Sequence, residues 1–229
     1  MAIVLALCAA YVAFCIGTHP TGPLTTPDSI NYLQASPIYP IGYPLFLKIF
    51  SADAAIIVQP IVFGAALALL GTQIVRHTRS TWLAVATLGA IVALPQLREF
   101  HASILSESLF GSLLIVFLAL SVRFAYHPTW HLMVLMAFAA GVGGTVRRTA
   151  YALVPVMLIM VLQQRHRLRR SHPTFFLVAA LAPFLAIAGT EQVIAPLLHG
   201  GHSSSLMGRH MFAKACLLYT SPSPRDGLL

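Results

Sequence analysis

The stretch P-D-S-I-N-Y-L-Q-A-S-P-I-Y-P-I-G-Y-P-L, Pro27 to Leu45, is the only long polar, turn-rich passage near the start of the chain. Apolar blocks lie on both sides of it, and the first, Met1–Gly17, carries no charged side chain. A Tyr- and Pro-rich segment between two such blocks reads as a loop outside a membrane, with the blocks as spans. Asp28, inside this loop, is one of only six acidic residues in 229. An acid is costly in such a chain and needs a physical reason.

Working outward, the whole chain is 58% hydrophobic and 9% charged, with a mean hydropathy of +0.81. Soluble domains carry about 25% charged residues, so the composition predicts an integral membrane protein. The formal charge of +8 does not point to nucleic acid. The basic residues lie between apolar runs, with a cluster at Arg165–Arg170, as anchors facing anionic lipid do. Cys8, Cys15 and Cys216 have neither a metal-ligand spacing nor a paired framework.

The predicted architecture is an all-α, polytopic transmembrane bundle of about seven spans with a helical first extracytoplasmic loop. The spans are Met1–Gly17, Ala54–Val75, Trp82–Leu94, Ile104–Val122, two halves of 131–163, and Thr174–Thr190. An amphipathic piece, Pro44–Ser51, leads into the second. The Gly-rich block Gly141–Arg148 is expected to break 131–163 in two, because each half falls short of the roughly 20 residues of a full crossing. Short, Gly-interrupted segments of this kind line cavities rather than lipid. Residues 1–215 form one membrane-embedded domain. Cys216–Asp226 resembles a translated sequencing adapter, so 216–229 reads as a non-native tail and the domain as truncated.

The compact Arg165–Arg170 run sets the orientation, with a cytoplasmic N-terminus. Asp28, Asp53, Glu99, Glu107 and Glu191 then all fall on the extracytoplasmic side or its membrane edge. Topology rules do not require that segregation, since acids contribute little to orientation.

Thr26-Pro27-Asp28 reads as a helix start, with Thr as N-cap, Pro in the first turn and an acid beside it. Asp28 and Tyr32 then share one helix face. Asp28 either complements the helix dipole or serves as a general base toward an acceptor hydroxyl. Gly42-Tyr43-Pro44 resets the chain into the amphipathic helix, and Tyr43 reads as interfacial belt or as part of a platform near Asp28. Glu107, in H-A-S-I-L-S-E-S-L-F, either fills a first helical turn capped by Ser103 or Ser106, or faces a polar cavity. His101 and Arg98 lie close enough in sequence to join it. Arg147 and Arg148 either snorkel to headgroups or grip a phosphate with their guanidinium forks. There is no phosphate-binding Gly loop, dinucleotide motif, zinc spacing or serine nucleophile elbow. His199, His202 and His210 have no ligand spacing either.

Four motifs in order carry a family resemblance: P-D-S-x-x-Y with Y-P-x-G-Y-P-L-F-L, then L-S-E-S-L-F, V-R-R-T-A-Y-A-L-V-P and G-R-H-M-F-A-K-A. Together they resemble the polyprenol-phosphate-sugar-dependent membrane glycosyltransferases of the C-type fold, in particular the protein mannosyltransferase and aminoarabinose transferase group. The resemblance covers about Asp28 to Ala215. It implies inverting transfer of a sugar from a polyprenyl-phosphate donor to a hydroxyl acceptor, on the extracytoplasmic face of a bacterial inner membrane. It implies Asp28 as catalytic base or as the group that orients the acceptor, Glu107 as the second acidic site, and Arg147 or Arg148 on the lipid phosphate. Tyr32, Tyr43 and His101, candidates from their own positions, are expected on the substrates. Ser29 stands where the family often has a second acid, so no metal ligand set is expected, and a divalent cation stays open. The competing reading is a non-enzymatic transporter, flippase or scaffold using the Gly-broken segments as a passage.

Overall fold

Long uncharged runs of helix-tolerant residues, broken by Pro, Gly and short polar turns, fold here into helices and little else. The computed structural model describes residues 1–19, 22–36, 39–164 and 173–199, and among these there is no β-strand. The basic run Arg165–Arg170, the loop 200–215 with its G-R-H-M-F-A-K-A motif, and the tail 216–229 lie outside the described residues.

The first helix, α1, is Ala2–Gly17. The short α2, Pro27–Leu33, starts as its sequence predicts, with Thr26 at the N-cap. The Thr26 backbone N–H donates to Ser29 Oγ at 2.8 Å, closing a capping box. Helix α3, Gly42–Thr78, contains both the amphipathic piece and the second apolar run. They are separated at Ser51, whose φ of 60° and ψ of 165° interrupt the helix. That conformation costs a non-glycine residue about 1–3 kcal/mol. Ser51 Oγ accepts the Ala54 N–H at 3.4 Å, giving the apolar part its own cap.

Helix α4 is Thr81–Val92, capped by Ser80 Oγ from the Leu83 N–H at 3.1 Å. Pro95 ends it, and α5, Gln96–Ala102, departs at 66°. Helix α6 is Ser106–Tyr126 and α7 is Trp130–Val146. A 3₁₀ turn, Arg148–Ala152, leads to α8, Leu153–Gln163, and α9 is Pro173–His199.

Among the described residues two helices, α3 and α6, are long and apolar enough to cross a membrane, or three if the bent α4–α5 pair is one span. The other apolar helices, Ala2–Gly17, Trp130–Val146, Arg148–Gln163 and Phe175–Glu191, are shorter. The split of 131–163 is present and falls within the expected block Gly141–Arg148, at its C-terminal end. The glycines of G-V-G-G lie inside α7, and the break falls at Arg147, whose backbone is extended. The glycines serve close packing instead. A Cβ on Gly144 would stand 2.6 Å from the Tyr151 ring, so the chain after the break folds back against α7.

Helix α6 packs along α3, and α9 along α7. One core lies between α6, α7, α8 and α9 around Phe117, Met133, Met136 and Met157. A second joins α1, α3, α4 and α6 around Phe63, Leu67 and Leu88. Gly64 and Gly71 of α3 sit against Val12 and Val4 of α1. Such small-residue contacts maximise dispersion where lipid removes the hydrophobic drive. At one end of the bundle His77 stacks on Tyr126, with centroids 4.7 Å apart. Gln164 reaches the Ala125 carbonyl at that same end. The opposite end gathers α2, the starts of α3 and α6, and the end of α7.

Candidate functional site

The loop after α1 is stitched to the α5–α6 connection. The Leu24 N–H donates to the Ala102 carbonyl at 2.9 Å and the Ile104 N–H to the Leu24 carbonyl at 3.1 Å. Ser29 Oγ donates to the Ile104 carbonyl at 3.0 Å. Tyr32 and Ser106 share a buried hydroxyl–hydroxyl bond of 2.9 Å. These bonds lay α2 across the N-terminus of α6, one residue from Glu107. Neither serine caps α6 as expected: Leu105 is the N-cap residue, Ser106 is taken by Tyr32, and Ser103 Oγ donates to the Glu99 carbonyl.

Gly42 brings the third wall. A Cβ there would meet the Thr145 Oγ1 and backbone at 2.6–2.8 Å, so only glycine lets α3 start against the end of α7. Two residues beyond Thr145, Arg147 forms an ion pair with Glu107 across the α7–α6 gap. The pair is partly open, with side-chain exposures of 38% for Arg147 and 27% for Glu107. Glu107 Oε2 is buried and has no hydrogen-bond partner. A carboxylate oxygen in that state is an unfilled acceptor.

Asp28 lies on the outer rim. Its Oδ1 accepts the Tyr39 hydroxyl at 2.6 Å. That hydrogen bond to a carboxylate pushes the Tyr39 phenol up to about 12. Asp28 and Tyr32 do not bond to each other along α2, because the Tyr32 hydroxyl points inward to Ser106. Tyr32 is instead the hinge of the cluster. Its ring lies 4.7 Å from that of Tyr39 and 4.9 Å from that of Tyr43. Burial holds its phenol above the usual value, and the charges of Glu107, Arg147 and Asp28 all reach it. Tyr43 is fully buried and receives the Gln59 amide at 3.4 Å. It is a wall of the site rather than an open surface.

The twin arginines divide. Arg147 goes to Glu107, whereas Arg148 is the cation beside Glu191 and Tyr151. Glu191, 7% exposed near the end of α9, also meets the Ile41 backbone N–H. It thus ties α9 to the residue before α3.

His101 is placed elsewhere. It is fully buried, with Nδ1 bonded to Ser108 Oγ at 2.6 Å and Nε2 to Tyr11 OH at 2.9 Å. Its ring meets Phe63 edge-on at 4.8 Å. Both nitrogens are committed to packing α1, α5 and α6 together, so the expected polar group of His101 with Glu107 does not form. Arg98 is also turned away, donating to the Thr18 carbonyl at 3.2 Å.

Tyr39, Ser106 and Glu191 belong to this end of the bundle and were not singled out as site residues. Glu191 had a signal, an acid in an apolar helix. Tyr39 and Ser106 had none beyond a hydroxyl near a turn. Among the described residues no three His, Cys, Asp or Glu side chains converge as a metal-binding group. The chain matches no protein-family model, no curated protein and no solved structure.

The arrangement brings together an exposed carboxylate held by a phenol, a second carboxylate with one open oxygen, and a half-exposed guanidinium. It can accept protons or hydroxyl hydrogens on one side and bind an anion on the other.

Proposed function

We propose that this chain is a membrane glycosyltransferase that moves a sugar from a polyprenyl-phosphate donor to a hydroxyl acceptor, with inversion. The observation that carries this reading is the Glu107–Arg147 pair beside the Asp28 rim, joining three separate segments at one end of an apolar bundle. That end is the extracytoplasmic face in the orientation argued from the basic residues. An integral membrane location, in a bacterial inner membrane, follows from the same reading.

In this mechanism the donor phosphate meets Arg147, whose exposed half offers N–H groups beyond those facing Glu107. Arg148 stands behind it, next to Glu191. Glu107 holds Arg147 in place, and its open Oε2 takes a sugar hydroxyl. The acceptor oxygen attacks the anomeric carbon as the bond to the phosphate oxygen breaks. Asp28 receives the acceptor proton, and polyprenyl phosphate leaves with the charge that Arg147 stabilises. Tyr39 aims the Asp28 carboxylate. Tyr32 and Tyr43 shape the floor between the two acids.

The test is sugar transfer from a labelled polyprenyl-phosphate donor by the purified protein in detergent or liposomes. Asp28→Asn and Arg147→Ala should each abolish most turnover while the protein stays folded. Undiminished turnover by Asp28→Asn sinks the base assignment. Failure of the intact protein to transfer any labelled sugar sinks the enzyme reading and returns the transporter and scaffold alternatives.

A further inference from the structure

A concave site lies outside the cluster just described. It is a cleft of about 580 Å³ where the Thr18 end of α1, the loop after it and the α4–α5 corner meet. Pockets of roughly 300–1,000 Å³ suit small ligands.

Its chemistry is mixed in a specific way. Phe14, Leu24 and Leu94 line it and stand 55%, 44% and 53% exposed. Arg98 also lines it, 5.9 Å from the Phe14 ring centroid, and spends a single N–H on the Thr18 carbonyl. Among the described residues its other guanidinium N–H groups have no hydrogen-bond partner. His19 lines the same cleft, and both its ring nitrogens are buried without a partner. Glu99 completes the polar lining, and among the described residues its carboxylate has no hydrogen bond or ion pair.

We propose that this cleft binds a glycerophospholipid with a phosphoethanolamine head. The half-buried His19 imidazole, whose ring nitrogens lack partners, has an N–H to donate, and with the remaining N–H groups of Arg98 it can serve a phosphate. The carboxylate next to them calls for a cation on the same ligand. A purely anionic head meets repulsion from Glu99, and a quaternary choline head offers it no N–H to accept. Phosphoethanolamine carries both complementary groups. Open Phe14, Leu24 and Leu94 take the acyl chains where the bundle meets lipid. The inference uses the membrane placement proposed above and is independent of sugar transfer.

The experiment uses the full chain in dodecyl maltoside with a phosphatidylethanolamine labelled on an acyl chain. Unlabelled phosphatidylethanolamine, phosphatidylglycerol, phosphatidylcholine and inorganic phosphate compete. Phosphatidylethanolamine should displace the probe at least tenfold better than the other lipids, and inorganic phosphate should not displace it. Arg98→Ala should weaken probe binding at least tenfold. Glu99→Gln should erase the preference over phosphatidylglycerol while leaving phosphatidylglycerol binding intact. Leu94→Trp, which fills the apolar wall, should weaken all lipids together. Equal displacement by the three lipids, or a preference that survives Glu99→Gln, overturns the proposal. Displacement by inorganic phosphate alone also overturns it, in favour of a free-anion site.

Discussion

Glu107 and Ser108 are neighbours on α6, yet they belong to opposite kinds of polar cluster. Ser108 bonds to His101, which bonds to Tyr11, so a closed chain of partners crosses from α6 through α5 to α1. Glu107 pairs with Arg147 and leaves one oxygen empty. The first cluster is buried and its imidazole is fully engaged, as a polar group that fixes helix packing must be. The second is half open and unfinished. Buried groups without partners cost stability, so an unfinished one in a partly exposed pair marks where a ligand can supply the missing bond. The difference teaches that polarity in an apolar bundle has two uses, and that the state of the hydrogen bonds separates them.

The comparison can be broken most strongly from the unfinished side. Arg147→Ala and Glu107→Gln should each lower sugar transfer by about 10²–10³-fold, the usual effect of removing a group that meets developing charge. Thermal unfolding should move little, because partly exposed ion pairs are worth about 0–1 kcal/mol. A large fall in unfolding temperature with unchanged turnover would make this pair structural, like the His101 chain. The closed side gives the next effect. His101→Leu strands the Tyr11 and Ser108 hydroxyls, at a cost of about 1–3 kcal/mol each. It should lower the unfolding temperature in detergent while turnover per folded molecule persists.

Gly42→Ala probes the wall between them. Its Cβ collides with the Thr145 backbone, and overpacking of this sort costs about 1–3 kcal/mol. Turnover should fall along with stability, because the same contact places Arg147. The smallest effect is on the rim. The Tyr39 phenol is held at about 12 by Asp28, against about 10 in an unfolded chain. A raised value means that the contact stabilises fully below about pH 10 and fades as pH climbs toward 12. Asp28→Asn should return one tyrosine's ionisation toward about 10. Ultraviolet titration reads this, and Tyr39→Phe identifies the band.

The helical class, the capped start of α2 and the resumption of the chain at Gly42 were all legible in order along the sequence. Each depends on residues within one or two turns of each other. Of the five acids expected on one side, Glu107 and Glu191 lie at one end of the bundle with Asp28 near them. What was not legible depended on facing direction. Nothing local says that Tyr32 turns to Ser106 rather than Asp28, or that His101 looks toward Tyr11. Those choices are made by helices that meet far along the chain. Where inside Gly141–Arg148 the break falls was not legible for a related reason. Glycine weakens a helix on its own, but Tyr151 and Phe184 press into the space it leaves, and packing outweighs propensity. The number of crossings also stays coarse, because among the described residues only α3, α6 and the bent α4–α5 pair reach crossing length.

The strand-like bridge between Leu24 and the residues after α5 has a consequence for biosynthesis. Ser29 waits for Ile104, 75 residues later, and Tyr32 waits for Ser106. At about 5–20 residues per second, the first loop spends roughly 4–15 seconds without its partners while the ribosome makes them. During that interval Asp28 belongs to an unanchored outer loop and Glu107 does not yet exist. The polar cluster at this end of the bundle therefore begins to assemble when the head of α6 emerges, and it is complete only when Arg147 arrives later still.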